Sequence, residues 1–333
     1  MPAAMRMARD MPLTYSILQS LSDGSFHSGE TLAKAAGVTR AAVWKAIHCL
    51  QTDYALEIHS VHGRGYRLAQ SIELLNRDAI LQQLQRQSQL AGLETFLTIA
   101  STNRYLMQAP AHDITAPWVV LAEQQTAGRG RRGRVWHSPF AGNIYLSLLW
   151  RFQQINANFV GLSLVIGVVV CRLLSQLGIM QLGLKWPNDI LCQGKKLSGV
   201  LIEMRGETHG PYDAVIGIGL NLMMPETGER EIDQPWIALS QMLPALPSRN
   251  TLAARLIDLL LEALPQFETH GLQPFLAEWR ALDAFRDQAV VVHLGENRVH
   301  GIERGIDEQG ALLVEVEGKQ QRYYSGEISL RRR

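Results

Sequence analysis

The densest run of reactive side chains in this 333-residue chain is Gln124-Gln-Thr-Ala-Gly128-Arg-Gly130-Arg-Arg132-Gly133-Arg134-Val-Trp136, set between two apolar runs. Four guanidiniums this close repel one another unless an anion sits among them, and the interleaved glycines let backbone amides approach that anion. A second cationic group follows at Lys185-Trp186-Pro187-Asn188-Asp189, where a lysine ends a β-prone run at a Pro-Asn-Asp turn, and a third at Lys195-Lys196-Leu197-Ser198-Gly199. Gly217-Ile-Gly219-Leu-Asn221 puts two glycines in a strand, where a ligand or another backbone comes close, and ends on an amide able to read an adenine edge. Ser101-Thr102-Asn103 places two hydroxyls at an expected helix start. Each has a plainer reading when taken singly. The arginine loop would be a solvated basic turn or a nucleic-acid patch, Lys185 a surface lysine beside a turn, and Lys195-Lys196 the charges of a hairpin. Asn221 and Ser101 would be caps.

Other routes to nucleotide chemistry are excluded by their motifs. There is no GxxxxGK[ST], no GxSxG and no HExxH, and the GxGxxG spacing of Gly128-Arg-Gly130-Arg-Arg-Gly133 leads toward another strand-like run, not into the helix that a dinucleotide fingerprint opens. A nucleotide bound by this chain must therefore be cradled by the arginine loop and Lys185. Net charge is +1, with Lys+Arg 32 against Asp+Glu 31, so DNA binding requires a local basic face. The three cysteines, Cys49, Cys171 and Cys192, lack CxxC spacing, which argues against a disulfide framework or a cysteine-built zinc site and suits a reducing cytoplasm. Residues 1–12 read as a loose extension without the apolar core of a secretory signal. The apolar run Phe159 to Cys171 stops at Arg172, short of the roughly 18 residues a membrane span needs, so a buried helix is expected there and no membrane association.

The elements that must carry these residues divide the chain into three domains, 13–70, 71–286 and 287–333. In the first, Ser28 and Thr39 are placed to cap successive helices with Gly37 in the turn between them, and Val43, Ile47 and Leu50 follow a buried-face spacing. Thr39, Arg40, Trp44, Lys45 and His48 then form the outer face of a recognition helix, with Arg64 in a following hairpin. This is a winged helix-turn-helix for DNA, or else a small helical domain for protein contacts. The second domain alternates short strands (118–123, 143–150, 182–186, 197–204 and 213–222) with helices, which predicts an α+β fold with a mixed sheet. A polar helix is expected to run to about Ala91. The third domain reads as four short strands forming a small β-barrel that must lean on its neighbour, because its own core is marginal.

Taken together, in this order and spacing, the Gly128–Arg134 loop with Trp136, Lys185–Asp189, Lys196–Gly199 and Gly217–Asn221 closely resemble the biotin-protein ligases. The flanking domains extend the resemblance to the bifunctional type that also represses biotin synthesis genes. It covers nearly everything from Leu13 onward. The resemblance implies a class II synthetase-like catalytic domain and an SH3-like C-terminal barrel. The implied enzyme makes biotinyl-5′-adenylate from biotin and ATP with Mg²⁺. It then transfers biotin to a lysine of the biotin carboxyl carrier protein of acetyl-CoA carboxylase, and as an adenylate-bound homodimer it binds operator DNA. It further implies that Ser101, Thr102, Asn103, Gln125, Trp136 and Gly199 bind biotin, with Arg129, Gly130 and Arg131 adding loop contacts and Lys185 reaching both substrates. Arg131, Arg134, Asn188, Asn221 and Trp236 fall to the nucleotide, Asp189 to nucleotide and metal, and Lys185 and Arg131 to catalysis. A ligand-sensing transcription factor without chemistry, or a ligase for another carboxylic acid such as lipoate, are the competing readings.

Overall fold

The computed structural model describes residues 13–109, 115–153, 161–206, 211–224, 234–295, 297–324 and, in backbone only, 328–332. The expected extension 1–12 and most of the loop after Met224 lie outside the described residues. Two compact units result, the first comprising the chain up to Asn76 with Pro139–Ala141 and the second Arg77–Ser138 and Gly142–Arg333.

The first unit contains α1 (Leu13–Leu21), α2 (Gly29–Ala36), α3 (Arg40–Asp53) and the hairpin β1 (Ile58–Val61) and β2 (Gly65–Leu68). Ser28 Oγ accepts from Thr31 N at 3.0 Å and Thr39 Oγ1 from Ala42 N at 3.2 Å, so the hydroxyls stop the two helices where the sequence predicts. Gly37 turns the chain between them at φ 68°. Val43, Ile47 and Leu50 are buried, while Arg40, Trp44, Lys45 and His48 are exposed. Trp44 stacks on His48, with ring centres 5.7 Å apart. In the wing, Arg64 and Arg67 lie 4.2 and 5.0 Å from the centre of the Phe26 ring, which holds two guanidiniums in fixed places.

The second unit is built on a seven-stranded sheet. Its members are β3 (Gly92–Ile99), β4 (Trp118–Gln125), β5 (Ile144–Phe152), β6 (Leu182–Lys185), β7 (Asp189–Cys192), β8 (Lys195–Gly206) and β9 (Tyr212–Leu220), in the order β3-β4-β5-β9-β8-β7-β6. Only β3 and β4 are parallel. The helices are α4 (Arg77–Gln83), α5 (Thr102–Gln108), α6 (Leu162–Gln176), α7 (Arg249–His270) and α8 (Gln273–Ala281). The expected polar helix stops at Gln83, and β3 follows where the sequence reading assigned no element. An edge strand with one fully buried residue, Leu93, has no apolar run to announce it.

Register and alternation put Ser147, Gly199, Leu201, Glu203, Gly217 and Gly219 on one face of the sheet, together with α5. The C-terminal strands β10 (Ala289–Leu294), β11 (Asn297–Ile306), β12 (Leu312–Val316), β13 (Lys319–Tyr323) and β14 (Ile328–Arg332) form the small antiparallel domain, in the order β13-β12-β11-β10-β14. A bulge between Glu303 and Ile306, with Gly305 at φ 93°, interrupts the β11–β12 ladder.

Candidate functional site

Glycines on the sheet face create the site. A Cβ on Gly219 would lie 2.4 Å from the Trp136 ring and one on Gly217 2.2 Å from Asn103 Oδ1. Side chains at these two positions would fill the ground that Trp136 and Asn103 occupy, which is the close approach predicted for a glycine pair in a strand. Above this floor lies a cavity of about 490 Å³. It is lined by Ser101, Thr102, Asn103, Gln125, Arg129, Gly130, Arg131, Arg134, Trp136, Lys185, Asn188, Asp189 and Gly199, all singled out from sequence. Asn221 and Trp236 line an adjoining recess that shares Trp136 and Lys196 with a wall of the main cavity.

At the α5 end the polar groups are already organised. Gln125 Oε1 accepts from Thr102 N at 2.9 Å and from Thr102 Oγ1 at 3.1 Å. Ser147 Oγ lies 2.7 Å from Thr102 Oγ1 and 2.5 Å from Asn103 Oδ1. Asn103 donates to Leu201 O and Glu203 Oε2, so its side chain braces the floor under the cavity. Ser101 Oγ accepts from Arg104 N at 3.4 Å, a helix cap that also borders the cavity. Glu203 has Arg129 Nη2 at 3.6 Å.

The arginine loop is a tight hairpin. Gly130 N donates to Arg134 O at 2.7 Å and Trp136 N to Gly128 O at 3.0 Å, with Arg132 at φ 60° and Gly133 at φ 71° forming the tip. Of the loop glycines, Gly133 is the one that adopts the left-handed region, whereas Gly130 is extended. Arg131 leans inward, with Nη1 3.4 Å from Asn188 Oδ1. Burial pulls its pKa below the ordinary arginine value, Asp189 counteracts this, and Arg132 and Arg134 add to it. Cations packed together and partly stripped of water are poised to accept an anion.

Lys185 ends β6, and Asp189 faces it across the hairpin in the paired position, with Oδ2 4.0 Å from Lys185 Nζ. Asp189 Oδ1 is 2.7 Å from Lys196 Nζ. Asn188 donates to Val200 O at 2.7 Å, and Ser163 Oγ donates to Pro187 O at 2.9 Å, which fixes the turn. Lys196 is the residue that sequence reasoning undervalued. Read as a hairpin charge, it is 15% exposed, lines the cavity and lies 5.4 Å from the centre of the Trp136 ring. The signal available was its distance from Asn188 and Asp189 along a hairpin, which folds it back over them. Phe285, Gln234 and Arg132 also border the cavity without having been selected.

Among the described residues no group of three or more His, Cys, Asp or Glu could hold a metal ion. Mg²⁺ carried by a nucleotide asks for only one or two carboxylates beside the phosphates, and Asp189 offers one. In the first unit, the Thr39 hydroxyl is the cap of α3, and the remaining selected residues stand on the outer face of α3 and in the wing. Among the described residues no helix is long and apolar enough to cross a membrane.

Residues 96–221 match the sequence profile of the biotin/lipoate A/B protein ligase family, residues 287–331 that of the biotin protein ligase C terminal domain, and residues 14–67 an HTH domain. The bifunctional ligase/repressor BirA of Escherichia coli is 43% identical over 323 residues, 97% of this chain and 98% of that protein. BirA of Bacillus subtilis is 29% identical over 94% of this chain and 96% of its own length. The structure of the biotin protein ligase from Aquifex aeolicus in complex with biotin and ATP superposes with a TM-score of 0.65 at 29% identity, covering 73% of this chain and 100% of that one. With similarity running through the helix-turn-helix, the central sheet and the C-terminal strands alike, the chain belongs to the family of bifunctional biotin-protein ligases and repressors.

Proposed function

We propose that the cavity binds biotin at its α5 end and ATP toward the Lys185–Asp189 turn, and joins them as biotinyl-5′-adenylate. Biotin's polar end meets Ser101, Thr102 and Gln125, with Asn103 bracing the floor. The backbone of the Arg129–Gly130–Arg131 stretch adds hydrogen bonds, the Gly130 N–H itself being held by Arg134 O, and Trp136 and Gly199 flank the apolar tail. Both substrates are anions, so the approach of a biotin carboxylate oxygen to the α-phosphorus needs cations in place beforehand. Lys185 Nζ and the Arg131 guanidinium supply them. Arg134, Asn188, Asn221 and Trp236 complete the nucleotide side. Asp189 would hold Mg²⁺, whose charge offsets that of the triphosphate. The new P–O bond forms as the bond to the β-phosphate oxygen breaks and pyrophosphate leaves. An acceptor lysine amine then attacks the carbonyl carbon and AMP departs.

The observation that carries this reading is convergence. Lysine, arginine, hydroxyls and amide from five separated segments border one cavity. Biotin-dependent pyrophosphate release tests it. No release, or release driven equally by lipoate, would favour the ligand-sensor or lipoate readings.

The acceptor is the biotin carboxyl carrier protein of acetyl-CoA carboxylase, and the operator-binding form is a homodimer. Loops that order around the adenylate then control the pairing surface. We read 13–70 as the DNA-binding domain, 71–286 as the catalytic domain and 287–333 as the C-terminal domain, in a chain whose free cysteines suit the cytoplasm. Sedimentation with biotin and ATP is expected to double the mass seen without them, and an unchanged mass removes the link between adenylate and dimer. The exposed Arg40, Trp44, Lys45, His48 and Arg64 face the DNA, and Arg64→Ala is expected to reduce the salt slope of operator binding by about one.

A further inference from the structure

The strand that delivers Lys185 is four residues long, yet both neighbours of the lysine are tied to chain that follows α8. Leu184 donates its amide to Leu282 O at 2.6 Å and accepts from Ala284 N at 3.0 Å, while Trp186 donates its indole N–H to Gly310 O at 3.1 Å. Phe285, in the same turn as Ala284, borders the cavity with its ring centre 5.8 Å from Lys185 Nζ. That turn is set by Asp283, whose Oδ1 accepts from Phe285 N at 3.0 Å. Its other oxygen, Oδ2, is buried without a donor, and so is Oε2 of Glu303 in β11. The two carboxyl groups are close enough to act on one another's ionisation. A single proton between them satisfies two oxygens that are otherwise orphaned, the arrangement expected when two acids share a buried site.

We propose that the Asp283–Glu303 carboxyl pair is a positioning latch for Lys185, clamping the C-terminal sheet to the 282–285 turn and so setting both the register of β6 and the Phe285 ring against the lysine. The inference rests on the assignment of Lys185 to adenylation. It gives the small C-terminal domain a part in the first half-reaction, because Glu303 lies against the turn that pairs with Leu184 and the same domain holds Trp186 through Gly310 O.

Burial pushes Asp283 up to about 6 and Glu303 up to about 8, each also raised by a neighbouring carboxylate. As an interacting pair they titrate together and keep a shared proton above the ordinary carboxylate range. Other charged groups facing the pair are few. Arg286 favours ionisation of both and Asp287 opposes it at Asp283, while Gly305 N donates to Glu303 Oε1. On β11 Arg304 is turned to Asp287 and Glu315, on α8 Glu278 pairs with Arg172 and Arg280 donates to Ile306 O, and β6 contributes only Lys185. Both folded values lie above the ordinary carboxylate values of 3.8 and 4.5, so the folded chain binds more protons than the unfolded one. Stability from this pair is therefore greatest below those ordinary values and falls as pH rises through about 8, where two carboxylates are left face to face.

The test is the pH profile of biotin-dependent ATP–pyrophosphate exchange in the full chain. In the wild type kcat is expected to fall about tenfold above the upper titration, with the KM for biotin changing less than about twofold. Glu303→Gln keeps the shape and the hydrogen bond but has no proton to lose, and is expected to abolish the fall at the upper titration. Phe285→Leu should lower kcat by about fivefold without moving the midpoint, and Phe285→Tyr should restore it. Superimposable profiles for wild type and Glu303→Gln overturn the latch. Should Glu303→Gln fail to fold, Asp283→Asn reads the same fall with the same two outcomes. A wild type without exchange at any pH would overturn the adenylation reading, and the latch with it.

Discussion

Two cationic segments border the same cavity and are supported in opposite ways. The Lys185–Asp189 turn is held on every side. Trp186 is 2% exposed, its flanks bond to the 282–284 turn and to Gly310, and Asn188 and Pro187 are fixed by Val200 and Ser163. The tip of the Gly128–Trp136 loop is held by its own backbone hairpin and leaves Val135 74% exposed, with Arg132 and Arg134 exposed, while its base is tied down through Arg129, Arg131 and Trp136 to Glu203, Asn188 and the sheet face. Local stability follows the number of buried contacts and protected hydrogen bonds, so the Lys185–Asp189 turn and the loop tip sit far apart on that scale. A cation that must be in place before its anion arrives is over-determined, and one that must close around the product is not. On the proposed function the lysine is the fixed part of the site and the arginine loop its cover.

The largest effect that could break this division is at Lys185. Lys185→Ala removes a preorganised charge and is expected to lower adenylate formation by about 100- to 1000-fold. Because the ammonium lies on the cavity wall, the melting temperature should change little. Pyrophosphate exchange and a thermal melt measure both quantities. Equal exchange rates in the two proteins would mean that the buried turn is scaffold only, and the comparison would collapse.

Arg131 is where the two segments meet, through its contact with Asn188. If the loop is a cover, Arg131→Gly should speed dissociation of the adenylate by about tenfold while slowing its formation less, because loss of a closing contact acts mainly on release. The escaping mixed anhydride would then label lysines of a bystander protein. Unchanged release and an unlabelled bystander would show that Arg131 acts on the reaction and not on retention.

The same contrast explains what was legible in the sequence. Residues whose roles depend on local spacing were readable: Ser28 and Thr39 as caps, Val43, Ile47 and Leu50 as the buried face of α3, and the glycine pair 217 and 219 as a place of close approach. The clustering of the arginines at the cavity was readable because charges close in sequence are close in space. Lys196 was not, since its value comes from β7 and β8 folding it against Asp189 and Trp136. Nor was Phe285, whose place in the cavity depends on pairing between residues about a hundred positions apart. The edge strand β3 was missed because one buried side chain leaves no alternating pattern.

The smallest effect is expected at Val135, and it separates a cover from a loop that is merely solvated. An exposed valine contributes little to the stability of the free protein, so Val135→Ser should leave its melting temperature nearly unchanged. Val135 nevertheless borders both the main cavity and the adjoining recess. If the loop closes over the adenylate, part of this side chain leaves water. Full burial of a valine is worth about 1.5–3 kcal/mol, so burial of about half of it gives ~1 kcal/mol. That corresponds to adenylate retention weakened about fivefold in Val135→Ser, with biotin binding alone affected less. Stopped-flow release of the adenylate from wild type and variant decides the point. Identical release rates would mean that the tip stays in solvent throughout the cycle, and the cover would then be confined to Arg131 and its immediate neighbours.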